Sequence, residues 1–164
     1  MKKTNNKGLS VVELVIVIAI MSIVVTVIAV SITKFIQRSR LSADVSNANV
    51  IATAINTAMN EADIKVDIAP QMVSGGTGMI MYATPGQPFQ VVPMGTPVSS
   101  LFLSTVNQNL GGKSPELKYL KNGAACWFVT ITPDGKIIIQ PGDSSPAPMT
   151  DKMFPNPSGV YTGY

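Results

Sequence analysis

Residues 9–69, LSVVELVIVIAIMSIVVTVIAVSITKFIQRSRLSADVSNANVIATAINTAMNEADIKVDIA, contain neither glycine nor proline. All 12 prolines lie at or after Pro70, and of the 13 glycines only Gly8 precedes Gly75. These are the two strongest helix breakers, so about sixty positions without them predict one continuous helix. At about 1.5 Å per residue it would reach on the order of 80–90 Å. A helix that long needs a reason beyond packing in an ordinary domain.

Its two halves differ. From Leu14 to Ile32 there is no charge, and the polar residues are Ser22, Thr26 and Ser31. The run is rich in Val and Ile and is close to the length that spans a bilayer. It is apolar on every side, so it must be surrounded by lipid or by other copies of itself. From Leu41 the pattern becomes one-sided: Leu41, Val45, Ala48, Ile51, Ile55, Ala58, Met59 and Ala62 recur at steps of three and four. That stripe predicts packing on a globular domain. Lys34, Arg38 and Arg40 form a basic collar between the halves, as at a membrane interface.

Composition narrows the function. The chain has 164 residues, 12 Lys+Arg, 9 Asp+Glu and no His, with a formal charge of +3. It is 46% hydrophobic and 13% charged, about half the usual charged share, which argues against a disordered chain. The length suits one modest domain. Without His there is no His general base and no His metal site. The single cysteine, Cys126, excludes an intramolecular disulfide and a CxxC site. The excess of +3 would suit a nucleic-acid binder if it were clustered on the folded surface. Instead Lys2, Lys3 and Lys7 all lie ahead of the apolar run, in a segment without acids, and their removal leaves bases and acids equal in number.

That segment reads Met1-Lys2-Lys3-Thr4-Asn5-Asn6-Lys7-Gly8, followed by Leu9-Ser10-Val11-Val12-Glu13. A secretory signal is cut after its apolar core. Here the break, Gly8, comes before it, so cleavage there would leave the hydrophobic segment on the mature chain. A plain N-terminal anchor with a positive cytoplasmic end is the simpler alternative. Under that alternative Glu13 is expensive, because a carboxylate in a spanning helix needs a partner. A freed amine on Leu9 would supply one, and in a helical stack the amine of one subunit can meet Glu13 of its neighbour.

On Lys7-Gly8-Leu9-Ser10-Val11-Val12-Glu13 and the apolar run after it, the chain resembles the type IV pilins and the related pseudopilins of type II secretion. The motif covers residues 2–35, and the long-helix layout extends the likeness to about residue 65. The resemblance implies cleavage between Gly8 and Leu9 by a membrane prepilin peptidase, and N-methylation of Leu9. It implies Glu13 as the assembly glutamate. It also implies an assembly ATPase and an inner-membrane platform as partners, and self-association into a homopolymeric filament. The membrane holds the precursor before assembly; a host surface or DNA are further partners that such filaments meet. There are departures. The family most often has Phe at the position of Leu9. Many members carry Gly and Pro where this chain has Ser22 and Val30, so the helix should stay more continuous in a filament. Many members close a C-terminal loop with a disulfide, which a lone Cys126 cannot; pilins of Gram-positive anaerobes also do without it.

The remainder, residues 70–164, predicts a small head. Residues 70–97 are Gly- and Pro-rich with two short strands, 79–83 and 89–92. Pro97 opens a short helix over 98–110, with Leu101, Phe102, Val106 and Leu110 at helical spacing and Gly111-Gly112 as its stop. Strands follow at 116–121, 124–132 and 136–140, forming an antiparallel meander on the helix stripe, with a tight turn at Thr132-Pro133-Asp134-Gly135. Trp127 reads as core or half-buried rather than as a recognition residue, and Cys126 as an inert small hydrophobe. From Pro141 onward the chain is a proline-rich tail, either disordered or laid over the sheet edge, where Phe154, Tyr161 and Tyr164 could pin it; the ordered, surface-laid tail is the expectation.

No nucleophile–base arrangement is built by these residues. Glu61, Asp63 and Asp67 cluster near the helix end, as a solvated edge or a cation site. Ser74-Gly75-Gly76-Thr77-Gly78 lacks a P-loop lysine and reads as a loop. Asn156-Pro157-Ser158 is disqualified as a glycosylation sequon by its proline. The expected fold is therefore α+β and type IV pilin-like: a leader at 1–8, a membrane or filament-core helix at 9–40, an amphipathic half at 41–69 and a head at 70–164. The expected function is structural, without enzyme activity, metal or cofactor: a pilus subunit for adhesion, motility or related roles. The alternatives are a minor pilin or a secretion or competence pseudopilin, and, in another class, a monomeric membrane-anchored ligand-binding surface domain.

Overall fold

The structure, a computed structural model, describes residues 10–72, 78–92, 98–119 and 123–162. The chain forms two compact units, Met1–Gln37 and Arg38–Tyr164. One helix, α1 (Val11–Asn60), supplies residues to both.

In the first unit the described residues from Val11 onward are helical although many are β-branched. β-Branching lowers helix propensity only by tenths of a kcal/mol per residue, and nothing here breaks the ladder. The hydroxyls are satisfied within the helix itself: Ser22 Oγ donates to the Ile18 carbonyl at 2.7 Å, Thr26 Oγ1 to Ile23 at 2.7 Å and Thr33 Oγ1 to Ala29 at 3.0 Å.

In the second unit α1 turns one face inward. Leu41, Ala48, Ile51, Ile55 and Ala58 are buried, with Val45 and Met59 half-buried against them, as the stripe predicts, and Ala52 is buried beside them; the Ala62 side chain lies outside what the structure describes. The helix is not continuous to residue 69, however. Glu61 is extended (φ −68°, ψ 136°) and α2 (Ala62–Ile68) begins after it, followed by a 3₁₀ turn at Ala69–Gln71. The reason is packing. Continued straight, the stripe would have brought Val66 inward. The break instead buries Ile64 and Ile68 and leaves Val66 78% exposed. Core burial thus outweighs local helix propensity.

The sheet is antiparallel, in the order β2-β1-β3-β4, from β1 (Met79–Ala83), β2 (Gln90–Val91), β3 (Cys126–Ile131) and β4 (Ile137–Gly142). It pairs Met81 with Val129, and Val129 with Ile139, through the centre of the core. The turn at Thr132–Gly135 forms as expected, with Gly135 N–H donating to the Thr132 carbonyl at 2.9 Å. Three expectations are corrected. The strand read at 89–92 shrinks to two residues, because Phe89 bonds instead to Asn107: its N–H donates to Oδ1 at 2.7 Å and its carbonyl accepts from Nδ2 at 3.1 Å. Residues 116–119 are not a strand; their backbone is tied to α1, as described below, while Leu120 and Lys121 lie outside the described residues. Consequently β1, and not a segment at 116–121, is the neighbour of β3, and the sheet is not a simple meander.

The second helix is α3 (Ser100–Asn109). Its N-cap is Ser99, whose Oγ accepts from the N–H groups of Leu101 and Phe102 at 3.2 and 3.3 Å. Pro97 lies outside the described residues. The helix stops where Gly111 takes φ 72°, a left-handed conformation that glycine adopts without strain. Phe102 and Val106 are its buried face.

The tail starts later than Pro141, since β4 runs to Gly142. The Pro141 carbonyl accepts from Met149 on the outer side of β4, so the missing proline N–H also faces outward and no ladder bond is lost. Met153 N–H donates to Ile139 at 2.9 Å and Ile139 N–H to Phe154 at 3.1 Å. This covers the β4 edge, with Met153 and Tyr161 buried and Phe154 half-buried. Tyr164 lies outside the described residues.

Candidate functional site

Ser10 precedes the first residue of α1, and Glu13 stands three positions on, in the first turn. The Ser10 N–H donates to Glu13 Oε2 at 3.0 Å. Ser-x-x-Glu is the spacing at which a third-position glutamate reaches back to the N-cap amide. A carboxylate is also favoured there by the positive end of the helix. The chain thus places a lone acid at the tip of its apolar helix, held by its own backbone.

Behind it, every described side chain from Val11 to Ile36 is exposed. An 18-residue window of α1 has a mean hydropathy of 3.1 with none of it buried, so the helix is long and apolar enough to cross a membrane. Each buried Val, Ile or Leu is worth about 1.5–3 kcal/mol, so leaving this surface in water would cost on the order of tens of kcal/mol. Lys34 lies in the first unit; Arg38 and Arg40 open the second, and each is exposed. Lys2, Lys3, Lys7, Gly8 and Leu9 lie outside the described residues.

A residue that pattern reading passed over is Asp44. It is fully buried on the inner face of α1, and its carboxylate accepts from Lys118 N–H at 2.6 Å and Tyr119 N–H at 2.8 Å. Asn47 Nδ2 donates to the Glu116 carbonyl at 2.9 Å, and Trp127 Nε1 to that of Pro115 at 2.7 Å. These bonds tie residues 115–119 across the core as a strap, which explains why no strand forms there. Burial pushes the Asp44 carboxyl above its ordinary range, against the pull of the two amides and of Lys118. Burial, then Asp44, Asp151 and Tyr119, push the Tyr161 phenol up; its ring meets that of Tyr119 edge-on at 6.3 Å. The sequence signal was present: an acid at a stripe position, between Leu41 and Ala48.

Cys126 and Trp127 are both buried in the central strand β3. Burial and then Asp143 push the Cys126 thiol up to about 11, leaving it a thiol and not a nucleophile. Glu61, Asp63 and Asp67 are exposed, and the Asp67 carboxylate accepts from the Ser99 hydroxyl. Among the described residues no group of three or more Cys, Asp or Glu side chains gathers as a metal site.

The family model described as the prokaryotic N-terminal methylation motif matches residues 3–29. No curated protein and no solved structure matches the chain. The motif is the signature of type IV prepilins, a structural class, and together with the apolar helix it marks a membrane-anchored precursor. The chain carries this signature ahead of a long helix and a four-stranded antiparallel sheet, an α+β arrangement that fits a type IV pilin-like fold.

Proposed function

We propose that the chain is the structural subunit of a type IV pilus. The observation that carries this reading is the fully exposed apolar half of α1 directly behind the methylation motif. Lys2, Lys3 and Lys7 keep the N-terminal end in the cytoplasm while the helix waits in the membrane. A prepilin peptidase cuts between Gly8 and Leu9, and the new amine on Leu9 is methylated; methylation keeps its positive charge. The Glu13 carboxylate then takes the amine of a neighbouring subunit as its partner, which sets the axial register between them. Exchanging lipid for other helices keeps the apolar surface out of water, so extraction has little hydrophobic cost. An assembly ATPase and an inner-membrane platform drive that step. Lys34, Arg38 and Arg40 anchor the interface end of the helix before extraction, and the head forms the filament surface. Adhesion or motility would then be properties of that surface.

Shearing fibres from cells and identifying their dominant protein tests the reading. The proposal requires this chain to dominate and to disappear from the fibres in Glu13→Ala. Fibres built mainly of another protein, with this chain at trace level, would assign it to the minor pilins or pseudopilins. Fibres unchanged by Glu13→Ala would remove the assembly role of Glu13.

A further inference from the structure

Lys136 leads into β4, and Lys152 lies on the tail segment that covers β4; both are exposed. They line one groove of about 480 Å³, together with Ile138 and the polar side chains of Thr150, Asn156 and Ser158. Its volume is within the range of small-ligand sites. Two contacts of 2.9 Å hold its far wall: Lys152 N–H donates to Ser158 Oγ, and Ser158 N–H to the Lys152 carbonyl. Pro155 and Pro157 stiffen the loop between them.

No carboxylate lines the groove. The acids nearest in sequence are engaged elsewhere. Asp134 accepts from the Thr132 hydroxyl and feels Lys136 only as a minor influence. Asp151 faces Gly159 so closely that a Cβ there would meet its Oδ1 at 1.8 Å, and it acts on the buried Tyr161. Among the described residues the ion pair is Lys118–Glu116, so neither Lys136 nor Lys152 has a carboxylate partner. Two lysines therefore line one groove among polar neighbours, on a chain whose bases and acids are equal in number once Lys2, Lys3 and Lys7 are removed.

We propose that this groove binds a phosphorylated saccharide or polyol. Lysine is a point charge with rotatable donors; it suits a tetrahedral phosphate, whereas planar carboxylates favour the arginine fork that is absent here. Thr150, Asn156 and Ser158 offer donors and acceptors to ligand hydroxyls, and Ile138 gives a carbon skeleton an apolar floor. No aromatic ring lines the groove, so a nucleobase would find nothing to stack on.

The test uses the full chain in polyoxyethylene detergent micelles, titrated with glucose 6-phosphate and followed by amide NMR. Glucose, inorganic phosphate and a thymidine oligonucleotide are the comparison probes. Glucose 6-phosphate should shift the Lys152 and Ser158 amides, and binding should weaken as salt is raised. Lys136→Gln and Lys152→Gln should each weaken it roughly tenfold, with the remaining amide signals unmoved. The proposal is overturned if glucose 6-phosphate binds no better than glucose, or if neither substitution weakens it. Equal binding of inorganic phosphate would overturn the saccharide assignment. Tighter binding of the oligonucleotide would overturn it in favour of nucleic acid.

Discussion

Glu13 and Asp44 are carboxylates on the same helix with opposite surroundings, and each gives a test at the scale of one side chain. Glu13 is exposed and bonded to the Ser10 amide, a contact that glutamine can also make. If the assembly role rests on charge, Glu13→Gln should lose surface fibres as Glu13→Ala does while its membrane level stays normal. Immunoblots of sheared and membrane fractions would show this, and fibres restored by Gln would mean that the capping bond, not the charge, is what assembly needs. Asp44 accepts two buried amides with one carboxylate. Asn offers one oxygen and turns a donor toward the second amide, so Asp44→Asn should destabilise the second unit by about 1–3 kcal/mol in urea unfolding. The pH dependence has a definite sign. The folded Asp44 carboxyl titrates above its ordinary value of 3.8, so its contribution to stability is full below that value and is lost as pH rises through the raised one. Exposed Glu116 and Asp134 shift the other way, through Lys118 and the Thr132 hydroxyl respectively, and add stability that is lost as pH falls. The stability of the native protein relative to Asp44→Asn should therefore decline from pH 3 upward through the acid range. A difference that grows with pH would contradict the burial of Asp44.

At the scale of elements, α1 has two faces of evidence for its packing: an inward stripe below Leu41 and hydroxyls bonded back to the helix above it. Ile55 is fully buried in that stripe, so Ile55→Ala should cost about 2–5 kcal/mol in unfolding free energy, read as a lower urea midpoint. In an assembled filament the absence of Gly and Pro around Ser22 and Val30 predicts an unbroken helix there; a fibre map with a melted segment between them would refute it. The stripe, the apolar run, β1, β3 and the Thr132–Gly135 turn were legible because each follows from local periodicity or turn chemistry. The break at Glu61 was not, because it is set by where Ile64 and Ile68 find core. The strap at 115–119 was misread for a related reason. Its alternation of Leu117 and Tyr119 with charged neighbours is that of a strand, but its amides are claimed by Asp44, more than seventy residues away. Glu13 was legible by its offset from Gly8; the grouping of Lys136 with Lys152 was not, since it needs the tail laid on β4.

For the whole molecule, the charge of +3 resolves into a basic N-terminal segment and a body whose bases and acids balance. The high apolar fraction resolves likewise into a compact core in the second unit and a surface on α1 that no part of the described chain covers. Both divisions follow under the proposed function, in which the N-terminal segment is processed and the helix passes from lipid to a polymer. The most direct measurement is the intact mass of this chain in sheared surface fibres. The account predicts a chain that begins at Leu9 and carries one added methyl group. A chain in those fibres that still begins at Met1 would contradict it.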